Sequence, residues 1–203
     1  MVEPRITVND REVLRALRAL DQKAGIVMAR AANRAATTAN KELSKGVRAR
    51  YEKVKEGDVK KALFKRNATS SNPTAELTYK SHHENLYKMG NVTPKRIVKT
   101  GGEKSNPKFY KARVMKGNSF EPLMERPRPF VQKMPNGHVG LFRRKSDDGR
   151  NMRGRKRNAI EAVQAPALSQ MIKNKEVLQE TERIAEKVLL NRLEHEIDRE
   201  LRK

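Results

Sequence analysis

An apolar stripe of helical period runs through the first fifty residues and constrains the fold more than any other feature. Apolar residues recur at steps of three and four, at Val13, Leu17, Leu20, Ala24, Val27, Ala31 and Ala35, and then at Leu43, Val47 and Tyr51. This spacing places them on one face of an α-helix. Asn9 can cap that helix, because Glu12 follows at the spacing of a capping box. We predict a helix from about residue 9 to about residue 53, or one that breaks near Gly25 or Gly46.

Part of this stripe is rich in alanine, from Ala29 to Ala39. Small side chains let another backbone approach closely, so this stretch should pack tightly against a neighbour. Ala31 and Ala35 are therefore candidate residues for packing between subunits.

The C-terminal part of the chain carries a second helical stripe. Its members are Val177, Thr181, Ile184, Val188, Leu189, Leu193, Ile197 and Leu201. The helix should start at Lys173 or Asn174. Leu189, Leu193 and Ile197 are further candidates for packing between subunits.

Between the two stripes the pattern predicts a short helix and several strands. Asp58 should cap a helix over 58–66, and "TAELTYKS" alternates, with Ala75, Leu77 and Tyr79 on one face. "FYKARVMKG" alternates in the same way, and "NAIEAVQAP" predicts a later strand. "RPFVQKMPNGHVGLFRRK" predicts a hairpin, in which Asn136 and Gly137 supply the two positive-φ residues of a tight turn.

Prolines cluster in "FEPLMERPRPF". Proline fixes φ and lacks an N–H donor. The cluster indicates either a stiff edge or crossover before a strand, or an arm that docks on a neighbouring subunit.

These patterns predict an α+β fold: a long N-terminal helix, a mostly antiparallel sheet and a C-terminal amphipathic helix. We expect a single domain over residues 1–203. It would consist of a helical part at 9–66, a sheet at 74–166 with a basic loop at 143–157, and the terminal helix at 169–203.

The charge of the chain indicates an acidic partner. Lys and Arg number 46 against 24 Asp and Glu, a formal net charge of +22, while only 36% of the residues are hydrophobic. Such an excess of one sign adds self-repulsion without helping the fold. Nucleic acid is the first candidate partner and an acidic protein surface is the second.

The most basic segment is "RRKSDDGRNMRGRKR", residues 143–157. Its eight cations are Arg143, Arg144, Lys145, Arg150, Arg153, Arg155, Lys156 and Arg157. One interpretation is a solvated connection between two strands. The other is an arm that contacts phosphates or an acidic protein, and that does not read bases, because it has no aromatic residue for stacking.

No catalytic, cofactor or metal site is predicted. The chain has no cysteine, which excludes thiolate chemistry, and it lacks a nucleophile-elbow motif and a phosphate-binding glycine loop. His82, His83 and Glu84 are adjacent, but no second cluster completes a metal site. No apolar run is long enough to span a membrane and the N-terminus lacks a signal-peptide core, so we expect no membrane partner.

The arrangement of these segments resembles the minor tail protein Z family of tailed bacteriophages and prophages, also called tail completion proteins. The resemblance is carried by the alanine-rich helix "MARAANRAATTANKEL", by "RARYEKVKEGDVKKAL", and by the hairpin with Phe130-Val131, Asn136-Gly137 and Phe142-Arg143. Where the family has a Gly-Pro-Ser-like turn followed by a methionine, this chain has Ala165-Pro166-Ala167 and then Met171. Its basic segment is also longer than the family pattern implies.

The resemblance implies a virion protein without enzymatic activity that is assembled in the host cytoplasm. It implies a ring of copies in the neck, at the head-proximal end of the tail, supporting head-tail joining. Partners would be other copies of the chain, portal-side neck proteins, tail terminator or tail-tube proteins and genomic DNA in the channel. The alternative from charge alone is a cellular nucleic-acid-binding scaffold, such as a ribosome- or nucleoid-associated protein.

Overall fold

The computed structural model describes residues 11–20, 23–95, 109–124, 126–145 and 159–202, and confirms the α+β class. The helices are α1 Arg11–Ala19, α2 Ala24–Arg50, α3 Glu56–Ala62, α4 Leu86–Met89, α5 Leu168–Ile172 and α6 Lys175–Leu201. The strands are β1 Leu63–Arg66, β2 Glu76–Tyr79, β3 Asn91–Thr93, β4 Lys111–Arg113, β5 Glu121–Pro122, β6 Phe130–Lys133, β7 Val139–Arg144 and β8 Ile160–Ala162. They form three small antiparallel sheets, β1-β2, β3-β4-β5 and β6-β7-β8, where the sequence predicted one sheet.

The chain forms two compact units, each built from separated stretches of sequence. Unit 1 comprises Met1–Val47, Lys55–Ser81 and Leu168–Lys203, and unit 2 comprises Arg48–Val54 and His82–Ala167. A division into units does not decide the number of domains, so the single domain over 1–203 stays a prediction.

The core of unit 1 joins the two predicted apolar stripes. Val13 and Leu17 of α1, Val27 and Ala31 of α2, and Leu193 and Ile197 of α6 form one buried cluster. Ala31 and Val27 are fully buried. Each stripe is thus buried against the other, which is why an amphipathic sequence at each end of the chain yields a stable helix.

The N-terminal helix breaks near Gly25, one of the two predicted places. α1 ends at Ala19 and α2 begins at Ala24, whereas Gly46 lies within α2 without interrupting it. A Cβ at position 25 would collide with the carbonyl oxygen of Ser70. Glycine therefore lets the segment after β1 pass close to the first turn of α2. The predicted cap Asn9 lies outside the described residues.

The segment 58–66 was predicted as one helix and this was wrong in two respects. Lys55 is the N-cap of α3, and Asp58 lies at the third helical position, where its carboxylate accepts from the Lys55 N–H at 3.2 Å. The helix ends at Ala62, and Leu63–Arg66 form β1. β1 pairs with β2 from Leu63–Tyr79 to Arg66–Glu76, so pairing with the half-buried β2 overrides the helical pattern.

β2 has the predicted alternation and is fastened to α2. Leu77 and Tyr79 are buried, and the Tyr79 hydroxyl donates to Asn40 Oδ1 at 2.8 Å. Burial raises the pKa of the Tyr79 hydroxyl. Asn33 of α2 exchanges two hydrogen bonds with the backbone of Ala68, which holds the segment after β1 against the same helix.

The C-terminal helical region is two helices, where the sequence predicted one over 169–203. α5 ends at Ile172, and Asn174 caps α6 by accepting from the N–H groups of Glu176 and Val177. Asn174 was one of the two predicted starts. Leu201 was wrongly placed on the apolar stripe, since it is 62% exposed. The last turn of α6 extends beyond the core of unit 1, to which Leu193 and Ile197 contribute.

Unit 2 contains the two three-stranded sheets. Residues 50–52 run beside the end of β4, with Glu52 N–H donating to the Val114 carbonyl and Tyr51 bridging Met115. Tyr110 and Ala112 are buried, as the alternation in "FYKARVMKG" predicted, while Val114 is only half-buried. Pro122 lies in the edge strand β5, where its missing N–H donor is tolerated.

The predicted hairpin is β6-β7, paired from Phe130–Phe142 to Lys133–Val139. Its turn differs from the prediction, because among the described residues only Gly137 of this turn has a positive φ, 82°. The Gly137 N–H donates to the Met134 carbonyl at 2.9 Å, and the Met134 N–H donates to the His138 carbonyl at 2.7 Å. Asn136 thus has a negative φ, and Gly137 after it has the left-handed conformation. A turn followed by a left-handed glycine is common in hairpin connections of more than two residues.

Candidate functional site

A groove lined by cations lies in unit 1 between α2, α6 and β1. We call it the basic groove. Its volume is about 610 Å³. Its lining residues are Arg30, Asn33, Arg34, Thr37, Thr38, Lys65, Arg192, Glu196 and Arg199. Five of them are basic and one is acidic, so the groove holds a strong local excess of positive charge.

Helical periodicity explains why these residues meet. Arg30, Arg34 and Thr37 follow at steps of four and three on α2, and Arg192, Glu196 and Arg199 follow at the same steps on α6. Residues at these steps share one helix face. That face adjoins the apolar stripe of each helix, so packing of the two stripes also brings the two polar rows together.

Part of the groove is held in place by two buried carboxylates. Glu196 lies between Arg30 and Arg199, with its Oε2 at 3.6 Å from the Nη1 atom of each. Arg30 Nη1 also donates to Glu200 Oε1 at 3.0 Å. The side chains of Glu196 and Glu200 are 9% and 7% exposed, whereas those of Arg30 and Arg199 are 41% and 54% exposed. The carboxylates therefore contact the buried side of the two guanidinium groups and fix their orientation. The other side of each guanidinium group stays exposed to solvent.

Within the described residues, no carboxylate forms an ion pair with the other cations of the groove. Arg34, Lys65 and Arg192 are exposed, and within the described residues none of the three forms an ion pair. Lys65 Nζ instead donates to Thr37 Oγ1 at 2.9 Å. Thr37 in turn donates to the Asn33 carbonyl at 2.8 Å, which sets the direction of its hydroxyl. These groups can take an anionic ligand without first breaking an ion pair.

The predicted basic segment is described at its first three residues only. Arg143 Nε donates to Glu161 Oε1 at 2.6 Å across β7 and β8, and the Arg144 guanidinium lies 5.7 Å from the centre of the Phe130 ring. Lys145 follows at the strand end, where its N–H donates to the Ala159 carbonyl. Arg143 is thus partly neutralised within the sheet. Arg150, Arg153, Arg155, Lys156 and Arg157 lie outside the described residues, and the contact role of all eight cations stays a prediction.

The residues predicted to pack between subunits lie in the core of unit 1. Ala31, Leu193 and Ile197 belong to its buried cluster, and Leu189 packs against that cluster while half-buried. Ala35 is 3% exposed. Most of the apolar area that these side chains offer is therefore used within one chain. Their role between subunits stays a prediction.

Sequence reasoning missed the basic groove although its signal is present. The arginine pairs at 30 and 34 and at 192 and 199 each mark one helix face. The two faces come together through contacts between residues far apart in the chain, such as Arg30 and Glu200, which are 170 residues apart.

The described residues give no support for a metal site. They contain no group of three or more His, Cys, Asp or Glu side chains that could hold an ion. His83 Nδ1 lies 2.9 Å from the Ala165 carbonyl oxygen, a contact within unit 2 that joins the two ends of its His82–Ala167 stretch. Among the described helices, none has the length and hydropathy needed to cross a membrane.

Comparison with known proteins identifies one family. The family model described as prophage minor tail protein Z (GPZ) matches residues 10–203. That match covers both units and nearly the whole chain. No curated protein and no solved structure gave a match.

Proposed function

This chain belongs to the prophage minor tail protein Z family, and from that membership we propose that it is a tail completion protein of a tailed bacteriophage. The family membership itself makes the chain a structural component of a phage tail, and hence of the virion. The family is not known for an enzymatic activity. In our proposal several copies form a ring in the neck, at the head-proximal end of the tail, and the ring supports head-tail joining.

The observation that carries the proposal is the family match over residues 10–203. The charge supports it, because a neck protein meets acidic partners. With a net charge of +22, the chain suits contact with DNA or with acidic surfaces of portal-side, tail terminator or tail-tube proteins. A cellular nucleic-acid-binding scaffold would explain the charge equally well, but it would not explain the family match.

The distribution of the charge also supports an assembly role. Four of the five cations of the basic groove lie on the polar faces of α2 and α6, while the apolar faces of the same helices contribute to the core of unit 1. A rigid helix pair that presents one charged face provides a fixed surface for neighbours in a ring. Electrostatic complementarity of this kind sets orientation and speeds assembly more than it adds affinity.

Deletion of the gene from an inducible phage tests the proposal. Lysates with and without the gene are examined by electron microscopy, and heads, tails and joined particles are counted. We expect filled heads and separate, otherwise complete tails to accumulate without the gene, and expression of the chain from a plasmid to restore joined particles. Normal numbers of joined, infectious particles in the deletion lysate would contradict the proposal.

A further inference from the structure

We propose that the basic groove binds the phosphate backbone of nucleic acid and does not read its bases. The proposal rests on the proposed function only for the biological identity of that nucleic acid, which would be the phage genome. The binding itself is a property of the isolated chain, and it can be tested without any phage particle.

The donors of the groove fit phosphate oxygens. Four of its five cations are arginines, Arg30, Arg34, Arg192 and Arg199. The planar guanidinium offers paired N–H donors to phosphate, and its charge persists at any pH at which proteins fold. Lys65 adds a point charge, and its Nζ is positioned by a hydrogen bond to Thr37 Oγ1.

The arrangement of the cations fits a chain of anions better than a single anion. Arg30 and Arg34 form a row along α2, and Arg192 and Arg199 form a second row along α6. The groove is open, with a volume of about 610 Å³ between the two rows. A single inorganic phosphate could contact only part of this lining. The successive phosphates of a nucleic-acid backbone can contact both rows.

Part of the groove is organised before the ligand arrives. Glu196 and Glu200 hold Arg30, and Glu196 also lies against Arg199, so these guanidinium groups lose little side-chain freedom on binding. Arg34, Arg192 and Lys65 supply charge that no carboxylate neutralises within the part of the chain that is described. The lining as a whole keeps four positive charges in excess, five cations against Glu196.

The composition of the groove favours nucleic acid over an acidic protein. Stable protein–protein interfaces centre on buried apolar or aromatic anchors. The described residues that line the groove include no apolar and no aromatic residue. Nucleic-acid backbones, by contrast, are bound mainly through Arg, Lys and hydroxyl donors.

The same composition indicates that bases are not read. Single-strand readers stack bases on aromatic side chains, and duplex readers place a helix or strand in a groove of the DNA. The two rows lie on helices that are already packed against each other over their neighbouring faces. Contact through phosphates alone predicts binding that is independent of sequence and strongly dependent on salt.

The experiment measures binding of the full-length chain to a fluorescein-labelled 30-base-pair DNA duplex by anisotropy, at several salt concentrations. The test variant combines Arg34→Gln, Lys65→Gln and Arg192→Gln, which are exposed groups without ion pairs in the described residues. The matched control combines Arg15→Gln, Lys60→Gln and Arg183→Gln, exposed residues of unit 1 that do not line the groove. Both variants lose two arginines and one lysine. Thermal unfolding verifies that both fold like the parent chain.

The groove variant should bind at least about tenfold more weakly, and the slope of log affinity against log salt should fall by roughly 2 to 3, since each lost phosphate contact removes about 0.9. The control variant should stay within about twofold of the parent. A charge-retaining variant with Arg34→Lys, Lys65→Arg and Arg192→Lys should keep most of the affinity. A second duplex of unrelated sequence should bind equally well.

Several results would overturn the proposal. Equal loss in the groove and control variants would mean that overall charge, and not the groove, binds DNA. If the parent chain did not bind the duplex even at low salt, the groove would not be a DNA-binding site. Polyglutamate of equal charge is the competitor that represents an acidic protein. If it displaced the duplex as well as unlabelled DNA does, and if the groove variant lost affinity for it to the same extent, the groove would be assigned to an acidic protein. The two proposals can fail separately. If the isolated chain binds DNA through the groove but phage assembly does not need the chain, the proposed function is rejected and the groove proposal stands.

Discussion

Asn85 and Leu141 exchange two hydrogen bonds in the interior of unit 2. Asn85 Nδ2 donates to the Leu141 carbonyl at 2.9 Å, and the Leu141 N–H donates to Asn85 Oδ1 at 2.9 Å. The same Oδ1 accepts from the Tyr87 N–H at 2.9 Å, so one side chain caps α4 and fastens it to β7. Leu141 is fully buried, and its carbonyl also accepts from the Val163 N–H at 2.9 Å, so Asn85 is the partner on which the Leu141 N–H depends.

Replacing this amide should destabilise the chain strongly. We expect Asn85→Ala to lower the free energy of unfolding by about 2–4 kcal/mol, because the buried Leu141 N–H loses its acceptor and α4 loses its N-cap. Asn118→Ala, at an exposed position, should change it by less than about 0.5 kcal/mol. Urea denaturation of both variants measures the difference. Equal stability of the two variants would mean that water satisfies the Leu141 backbone.

Two glycines that the sequence does not distinguish should respond in opposite directions to alanine. A Cβ at Gly25 would collide with the Ser70 carbonyl, whereas a Cβ at Gly57 in α3 would meet nothing within 4 Å. We expect Gly25→Ala to lower the melting temperature by several degrees, and Gly57→Ala to stabilise the chain by about 0.5–1 kcal/mol through helix propensity. Calorimetry on both variants tests this, and a harmless Gly25→Ala would refute the close approach.

The C-terminal helix should be sensitive at one leucine and tolerant at another. Leu193 is 2% exposed within the core of unit 1, and Leu201 is 62% exposed. Leu193→Ala should cost about 2–5 kcal/mol of unfolding free energy, and Leu201→Ala less than about 0.5 kcal/mol. Urea denaturation compares them. An equal loss of unfolding free energy for Leu201→Ala would mean that Leu201 is buried, and it would contradict the end of the core before the last turn of α6.

Removing the carboxylate from the basic groove should tighten DNA binding. Among the described residues that line the groove, Glu196 is the acidic one. Glu196→Gln keeps the shape of the side chain and raises the charge excess of the lining from four to five. We expect severalfold tighter binding of the 30-base-pair duplex and a steeper salt dependence. Weaker binding with an intact fold would show that Glu196 orients the arginines more than it opposes the ligand.

The two long helices could be predicted because their signal is local. The stripe from Val13 to Val47 and the stripe from Val177 to Ile197 each repeat over many turns, and each survives in the structure. The hairpin β6-β7 was predictable for a similar reason, since Gly137 marks its turn and alternation marks its strands.

The remaining elements depend on partners distant in the sequence. Leu63–Arg66 have a helical pattern, but they pair with β2, which begins ten residues after β1 ends. The basic groove depends on the packing of α2 against α6 from opposite ends of the chain. Neither pairing is encoded in a window of neighbouring residues, so periodicity alone could not reveal them.

We propose that copies of this chain form a ring where the tail meets the head. The most direct test of this proposal is cryo-electron microscopy of purified virions, with the chain carrying a small C-terminal tag and a matched untagged sample as control. We expect tag density only at the head-tail junction, in a ring of six or twelve copies that matches the tail or portal symmetry. Tag density along the tail tube or at the distal tip, or no tag density in virions that contain the chain by mass spectrometry, would contradict it.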